Sequence, residues 1–288
     1  MGSLLSKLRR QTRAIKHVLY SMISTSCLSK HEHKIQSVGH LPLPSTGCHV
    51  ALILPFAGGG ASIYRSWGKL LGPSIEVCPI QLPGRENRFS EPAFKNAQAL
   101  AQALANQLQL YSNKPFAIYG HSMGALLAFE LTRALQANGL EMPEVLMLGA
   151  HRAAHLPRTR ETLYTLDDKT FIERLQRFGG FPEEVLASEE LLQFLLPTLK
   201  ADFTLCDTYT HTDDLALNCP IHVFAGDSDP EAPPAVMDSW REHSSVETQM
   251  HVFQAGHFFI RTDLEKVIQT LKTIPQFSLA NLTGSEHV

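Results

Sequence analysis

The sequence predicts an α/β chain built on a mainly parallel sheet with helices on both faces. Three observations carry that expectation. From Cys48 onward, short apolar runs bounded by Gly or Pro alternate with longer stretches of helical period. Each run is mostly apolar and resembles a strand buried on both faces. One interval, His151 to Asn218, breaks the alternation with helical segments and no convincing strand, which is the pattern of a helical lid inserted between two sheet strands.

In chain order, strands are expected at His49–Leu54, Ile75–Gln81, Phe116–Tyr119, Val145–Leu148, Ile221–Ala225 and Met250–Phe253. Helices are expected between them at Ala61–Leu71, Asn96–Leu110, Met123–Ala137, Val236–Ser244 and Leu264–Ile274. Within the insertion, the segments Phe171–Phe178 and Glu189–Tyr209 read as helices separated by Gly179-Gly180-Phe181-Pro182. Residues 1–47 read as a basic extension and linker, and 48–288 as one domain with its lid at about 152–218.

The chain has 288 residues, 25 Lys+Arg against 28 Asp+Glu, and no run of eighteen apolar residues. A net charge of −3 leaves no general basic field, so nucleic acid is not an expected partner, and no stable membrane insertion is expected. The basic residues are unevenly spread. Lys7, Arg9, Arg10, Arg13, Lys16 and Lys30 precede the first acidic residue, Glu32, and could flank one apolar side of a helix. Met1-Gly2-Ser3-Leu4-Leu5-Ser6 also fits the N-myristoylation pattern. The plainer reading is a solvated extension, or a start assigned upstream of Met22. The five cysteines form no Cys-x-x-Cys pair and read as reduced thiols of a cytoplasmic protein, with no metal site.

The chemistry concentrates in three places. Gly120-His121-Ser122-Met123-Gly124 follows a strand and opens a helix, the context in which a serine on a sharp turn projects its hydroxyl above the sheet. A serine is a poor nucleophile at neutral pH, so it needs a histidine base and a carboxylate, in the chain order Ser, Asp, His for this kind of sheet. Fourteen histidines make the residue type uninformative, but His257 stands between the last strand and the last helix, where a loop rises over the serine. The carboxylate is Asp227 or Asp229 in Gly226-Asp227-Ser228-Asp229. Turn chemistry leans towards Asp229. The third place is Pro55-Phe56-Ala57-Gly58-Gly59-Gly60. It lacks the Lys-Ser/Thr of a P-loop and the Gly-x-Gly-x-x-Gly of a dinucleotide site. In a serine hydrolase such a loop supplies one backbone N–H of the oxyanion hole, here that of Ala57, and Met123 supplies the other. Phe56, His121 and Phe258 are expected to contact the substrate.

Together these residues resemble the type II (external, editing) thioesterases that accompany nonribosomal peptide and polyketide synthases, a branch of the α/β-hydrolases. The resemblance runs from about Val50 to Val267. It rests on Leu54-Pro55-Phe56-Ala57-Gly58-Gly59, Gln81-Leu82-Pro83-Gly84-Arg85, Gly120-His121-Ser122-Met123-Gly124-Ala125, Ala201-Asp202-Phe203 and Gly256-His257-Phe258-Phe259. It implies an α/β-hydrolase fold and selects Asp229, three residues after the strand-ending Gly226, as the catalytic aspartate. It also implies hydrolysis of acyl or aminoacyl thioesters on carrier proteins by a monomer. No cofactor is implied, since the substrate itself carries phosphopantetheine. By the same resemblance the insertion shapes the acyl chamber, with Phe171, Phe178, Phe181, Phe194, Leu195 and Phe203 as its lining. Lys200 departs from the pattern, standing where the family commonly has arginine.

Three rival readings remain. A medium-chain fatty-acyl carrier-protein thioesterase would share fold and chemistry and differ in chain-length preference. A small-molecule esterase would lack a use for the Pro83-Gly84-Arg85 and Ala201-Asp202-Phe203 contexts. A noncatalytic carrier-binding partner would have no need of Ser122, Asp229 and His257 together.

Overall fold

The computed structural model describes residues 49–108, 115–176, 188–212 and 215–278. The basic extension with its myristoylation pattern, the linker, Phe178 and Phe181 lie outside them. Six strands, β1 His49–Leu54, β2 Ile75–Pro79, β3 Phe116–His121, β4 Val145–Gly149, β5 Ile221–Gly226 and β6 Thr248–Phe253, form one wholly parallel sheet in the order β2-β1-β3-β4-β5-β6.

The apolar runs become strands because both faces are covered. On β1, Val50, Leu52 and Leu54 enter one core, whereas Ala51 and Ile53 enter the other; on β4, Leu146 and Leu148 oppose Val145 and Met147. Two-residue alternation therefore divides each strand between two apolar layers. β6 is the exception. It lies at the sheet edge, and Val252 is 53% exposed, so the expectation of burial on both faces fails there.

Among the described residues the helices are α1 Trp67–Leu71, α2 Ala97–Leu108, α3 Met123–Ala137, α4 Asp168–Gln176, α5 Glu189–Asp207, α6 Pro234–Met237, α7 Phe259–Thr262, α8 Leu264–Thr273 and α9 Pro275–Ser278. α3 is apolar around most of its circumference over its first three turns, as befits a helix between the sheet and α2. The single helix expected over Ala61–Leu71 is instead a 3₁₀ turn, Ala61–Tyr64, followed by α1. The Gln81 and Glu86 side chains accept the N–H groups of Ala61 and Ser62, tying that turn to the next connection. Likewise, the helix expected over Val236–Ser244 is α6 followed by a 3₁₀ segment, Asp238–His243.

The interval between β4 and β5 carries α4 and α5, which build a small core of their own from Leu163, Phe171, Leu175, Leu196 and Leu199. Ser188 caps α5 by accepting from the Leu191 N–H, with Glu189 and Glu190 in the first turn. Lys200 spans the two helices. It donates to the Leu166 carbonyl at 3.1 Å, pairs with Asp168 and lies over the Phe171 ring, a local use of the charge found at this departure from the family pattern.

Candidate active site

The strand order reverses between β1 and β3, so the loops leaving their carboxyl ends diverge and open a crevice, as sites of open α/β sheets do. Ser122 stands there, between β3 and α3, with φ 54° and ψ −120°. That left-handed conformation is strained for a residue with a Cβ, and it aims the side chain off the end of the sheet. The turn is held by the Ser122 N–H donating to the Gly149 carbonyl at 2.8 Å. Both flanking glycines are required by space. A Cβ on Gly120 would come within 2.0 Å of the Gly124 carbonyl oxygen, and one on Gly124 within 2.2 Å of the Leu54 oxygen.

The other two members arrive on the loops after β5 and β6. These loops are laced together: the Asp227 N–H donates to Phe253 O at 2.9 Å and the Ser228 N–H to Ala255 O at 3.1 Å. Their approach depends on Gly226, where a Cβ would meet Ala255 O at 2.4 Å. Asp229 is thereby buried, while Asp227 is exposed and bonded to Ser228 Oγ at 2.9 Å. The structure thus brings Asp229, and not Asp227, to the histidine. His257 Nδ1 is 2.8 Å from Asp229 Oδ2, and His257 Nε2 is 3.0 Å from Ser122 Oγ. Since a carboxylate can only accept, Nδ1 carries the proton and Nε2 is left to take one from the serine. Burial alone would raise the Asp229 pKa, but the His257 hydrogen bond and charge and the Glu231 and Ala232 N–H groups outweigh it and hold the carboxyl below its ordinary range.

Ala57 and Met123 face the same pocket as Ser122. As the first residue of α3, Met123 has an N–H without an intrahelical acceptor. In the β1 loop the following donors are taken: Gly58 N–H by Asp202 Oδ2 at 2.7 Å and Gly59 N–H by Phe56 O at 2.8 Å.

Phe56 and Phe258 line the pocket and meet edge to face at 5.1 Å. His121 does not line it, which corrects the expectation of a substrate contact: it is fully buried beneath His257. Its Nε2–H donates to the His257 carbonyl at 2.8 Å, and burial, helped by the nearby His257 ring, pushes its pKa down to about 3. Neutral His121 therefore fixes the loop backbone that carries His257. Of the expected chamber lining, Phe203 reaches the pocket. Phe171 packs inside the insertion, Leu195 packs against that same small core, and Phe194 stacks on Phe89 at the surface.

Sequence reading missed Arg152, Arg160, Leu175, Cys206 and Glu231, all of which line the pocket. Four lie on the insertion and Glu231 two residues beyond Asp229, where no motif marks them. Arg160 pairs with Asp207 at 2.6 Å and reaches Glu231 at 3.4 Å. The Cys206 thiol is no rival nucleophile, because burial pushes its pKa up to about 12. Among the described residues, no group of three or more His, Cys, Asp or Glu is placed to hold a metal ion, and no helix is long and apolar enough to cross a membrane.

The thioesterase domain family matches residues 51–275. The chain is 40% identical over 232 residues to the linear gramicidin dehydrogenase LgrE of Brevibacillus parabrevis, covering 80% of this chain and 88% of that one. It is 34% identical to the thioesterase PikA5 of Streptomyces venezuelae, covering 78% and 80%. Among solved structures, the type II thioesterase BorB from the borrelidin biosynthetic cluster superposes with a TM-score of 0.74 at 31% identity, covering 81% of this chain and 94% of that one.

Proposed function

Because the chain belongs to the thioesterase domain family, as a thioester hydrolase of the type II kind, we propose that it frees acyl or aminoacyl groups from the phosphopantetheine arm of synthase carrier domains. The reaction runs through an acyl-enzyme at Ser122. The observation that carries the reading is that Ser122, His257, Ala57 and Met123 line one pocket, with Asp229 hydrogen-bonded behind His257.

In this reading Ser122 Oγ attacks the thioester carbonyl as His257 Nε2 takes its proton, and Asp229 stabilises the imidazolium that results. The N–H groups of Ala57 and Met123 bind the tetrahedral oxyanion, each contributing about 3 kcal/mol in comparable sites. The carrier's thiolate departs with little acid assistance, since thiols ionise near pH 8.5, and takes up the proton held on His257 Nε2 as it leaves, so that the imidazole is again free to accept one. Water then adds to the acyl carbonyl, giving its proton to His257, which returns it to Ser122 as the acid leaves. Phe56, Leu175, Phe203 and Phe258 supply apolar wall for the acyl group. The enzyme needs no cofactor of its own and works beside a cytoplasmic synthase.

One relative is named a dehydrogenase. The glycines after β1 do not favour a dinucleotide here, because the N–H groups of Gly58 and Gly59 are already bound within the protein and no Gly-x-Gly-x-x-Gly is present.

The test is hydrolysis of a panel of carrier-bound thioesters: acetyl, medium-chain and long-chain acyl, and aminoacyl, with Ser122→Ala as control. Release of small and aminoacyl groups, lost in the variant, is the expected result. Preference for medium chains would reassign the enzyme to fatty-acid termination. Carrier binding with no turnover by the unsubstituted protein would leave a binding partner instead.

A further inference from the structure

The motifs Pro83-Gly84-Arg85 and Ala201-Asp202-Phe203 lie outside the triad, yet the fold brings both to the oxyanion loop. Asp202, on α5, and Arg85, in the β2–α2 connection, are both buried and form a two-pronged pair: Arg85 Nη1 to Asp202 Oδ2 at 2.9 Å and Nη2 to Oδ1 at 2.7 Å. The same Oδ2 accepts the Gly58 N–H at 2.7 Å, and Arg85 Nη1 also donates to the Gly59 carbonyl at 3.1 Å. The geometry points to Asp202 and Arg85 as positioning residues that aim the Ala57 N–H at the reacting carbonyl; this rests on the thioester-hydrolysis reading above.

Peptide planarity supplies the argument. The Phe56 carbonyl and the Ala57 N–H belong to one rigid unit and point in opposite directions, so whatever holds the carbonyl aims the N–H. That carbonyl is held by the Gly59 N–H at 2.8 Å. The Gly59 N–H is in turn fixed by its neighbours, since Asp202 holds the preceding peptide unit through Gly58 and Arg85 holds the following one through the Gly59 carbonyl. Three consecutive units are thus oriented from one carboxylate and one guanidinium. Gly58, at φ 76°, permits the bend that presents its N–H to Asp202. Thr198 Oγ1 donates to the Gly84 carbonyl and Gln81 Nε2 to the Arg85 carbonyl, so the anchor itself is fastened at both ends. A buried ion pair is weak evidence for stability, because its desolvation offsets its attraction. The peptide-orienting contacts give this pair a different use, since an oxyanion donor displaced by a fraction of an ångström loses its effect in the transition state.

The experiment uses a short-chain trifluoromethyl ketone, to whose carbonyl carbon Ser122 Oγ adds while its proton passes to His257 and the ketone oxygen becomes the oxyanion. Adduct formation is followed by ¹⁹F NMR, and kcat and KM for an acyl-carrier thioester are measured in parallel. Asp202→Leu combined with Arg85→Met removes both charges, so no buried charge is stranded. It is expected to melt within about 5 °C of the parent. Ketone affinity and kcat should fall about tenfold or more, with KM changed less than about threefold. Asp202→Asn keeps an acceptor for Gly58 and should recover at least half of that loss on a logarithmic scale. If the double variant does not fold, Arg85→Lys, which keeps the charge but loses the fork, is expected to lower ketone affinity and kcat without raising KM. A folded double variant that binds the ketone like the parent would overturn the inference, as would a loss confined to KM or one as deep in Asp202→Asn as in the double variant. A parent that forms the adduct but leaves carrier thioesters intact would sink the carrier reading alone; a parent that forms no adduct would sink both.

Discussion

At the scale of single residues, the site depends on three glycines and on which of two aspartates faces the histidine. Replacing Asp229 by Asn leaves the shape but gives His257 the wrong hydrogen-bonding partner, so kcat is expected to fall by about 10² to 10⁴. Asp227→Asn, at an exposed turn, should stay within about twofold of the parent. Thioester turnover by the two purified variants checks this, and equal losses would refute the assignment. Gly124→Ala places a methyl group 2.2 Å from the Leu54 carbonyl oxygen, against backbone that has nowhere to go. The expected outcome is loss of soluble folded protein, or of turnover by about 10²-fold or more where the loop yields, because the Met123 N–H proposed to bind the oxyanion moves with it. Normal activity at normal melting temperature would contradict this.

At the scale of elements, α4 and α5 form an annex with its own small core, distinct from the two layers that cover the sheet. Few apolar contacts mean that such a unit opens locally at lower free energy than the sheet does. Amide hydrogen exchange is therefore expected to be faster in α4 than in β3 and β4. Phe171 is central to this annex and meets Phe203, which lines the pocket, edge to face at 5.5 Å. Phe171→Ala is expected to cost about 3 kcal/mol locally, speeding exchange in α4 and α5 while leaving β3 unchanged. Uniform acceleration across the sheet would show instead that annex and sheet unfold as one.

At the scale of the whole molecule, buried histidines set the response to acid. Burial pushes His121 down to about 3, and burial together with the neighbouring His251 pushes His222 down to about 4. In the unfolded chain a histidine titrates near 6.5, so between these values the unfolded state binds more protons and stability falls as pH drops. The loss begins near pH 6.5 and amounts to about 1 kcal/mol per pH unit per histidine until each folded value is passed. Asp229 works in the same direction only at lower pH, since its folded pKa lies below the unfolded one and its contribution is lost as pH falls through the folded value. Urea denaturation at pH 7.5, 6.5 and 5.5 should show a midpoint that falls as the pH drops. A flat midpoint across that range would rule the effect out.

Much of this protein is written locally. Apolar runs of strand length, helical periods between them, and Gly120-His121-Ser122-Met123-Gly124 at a strand-to-helix junction were each legible because they depend on neighbours in the chain. The Ser, Asp, His order named His257 and narrowed the carboxylate to two, and family likeness pointed to Asp229. Other features had no local signature. His121 could be placed beneath the base only once β3 and the β6 loop were adjacent. Arg152, Arg160 and Glu231 come to the pocket from segments that no periodicity marks. The Arg85–Asp202 pair joins residues 117 positions apart. The sequence by itself determined the parallel α/β architecture and singled out Ser122 and His257 as candidates, because backbone sterics and burial periodicity act over a few residues. Only the tertiary structure decided which side chains touch across the crevice and which peptide units are aimed at the serine, because loop closure and packing between distant segments set those distances.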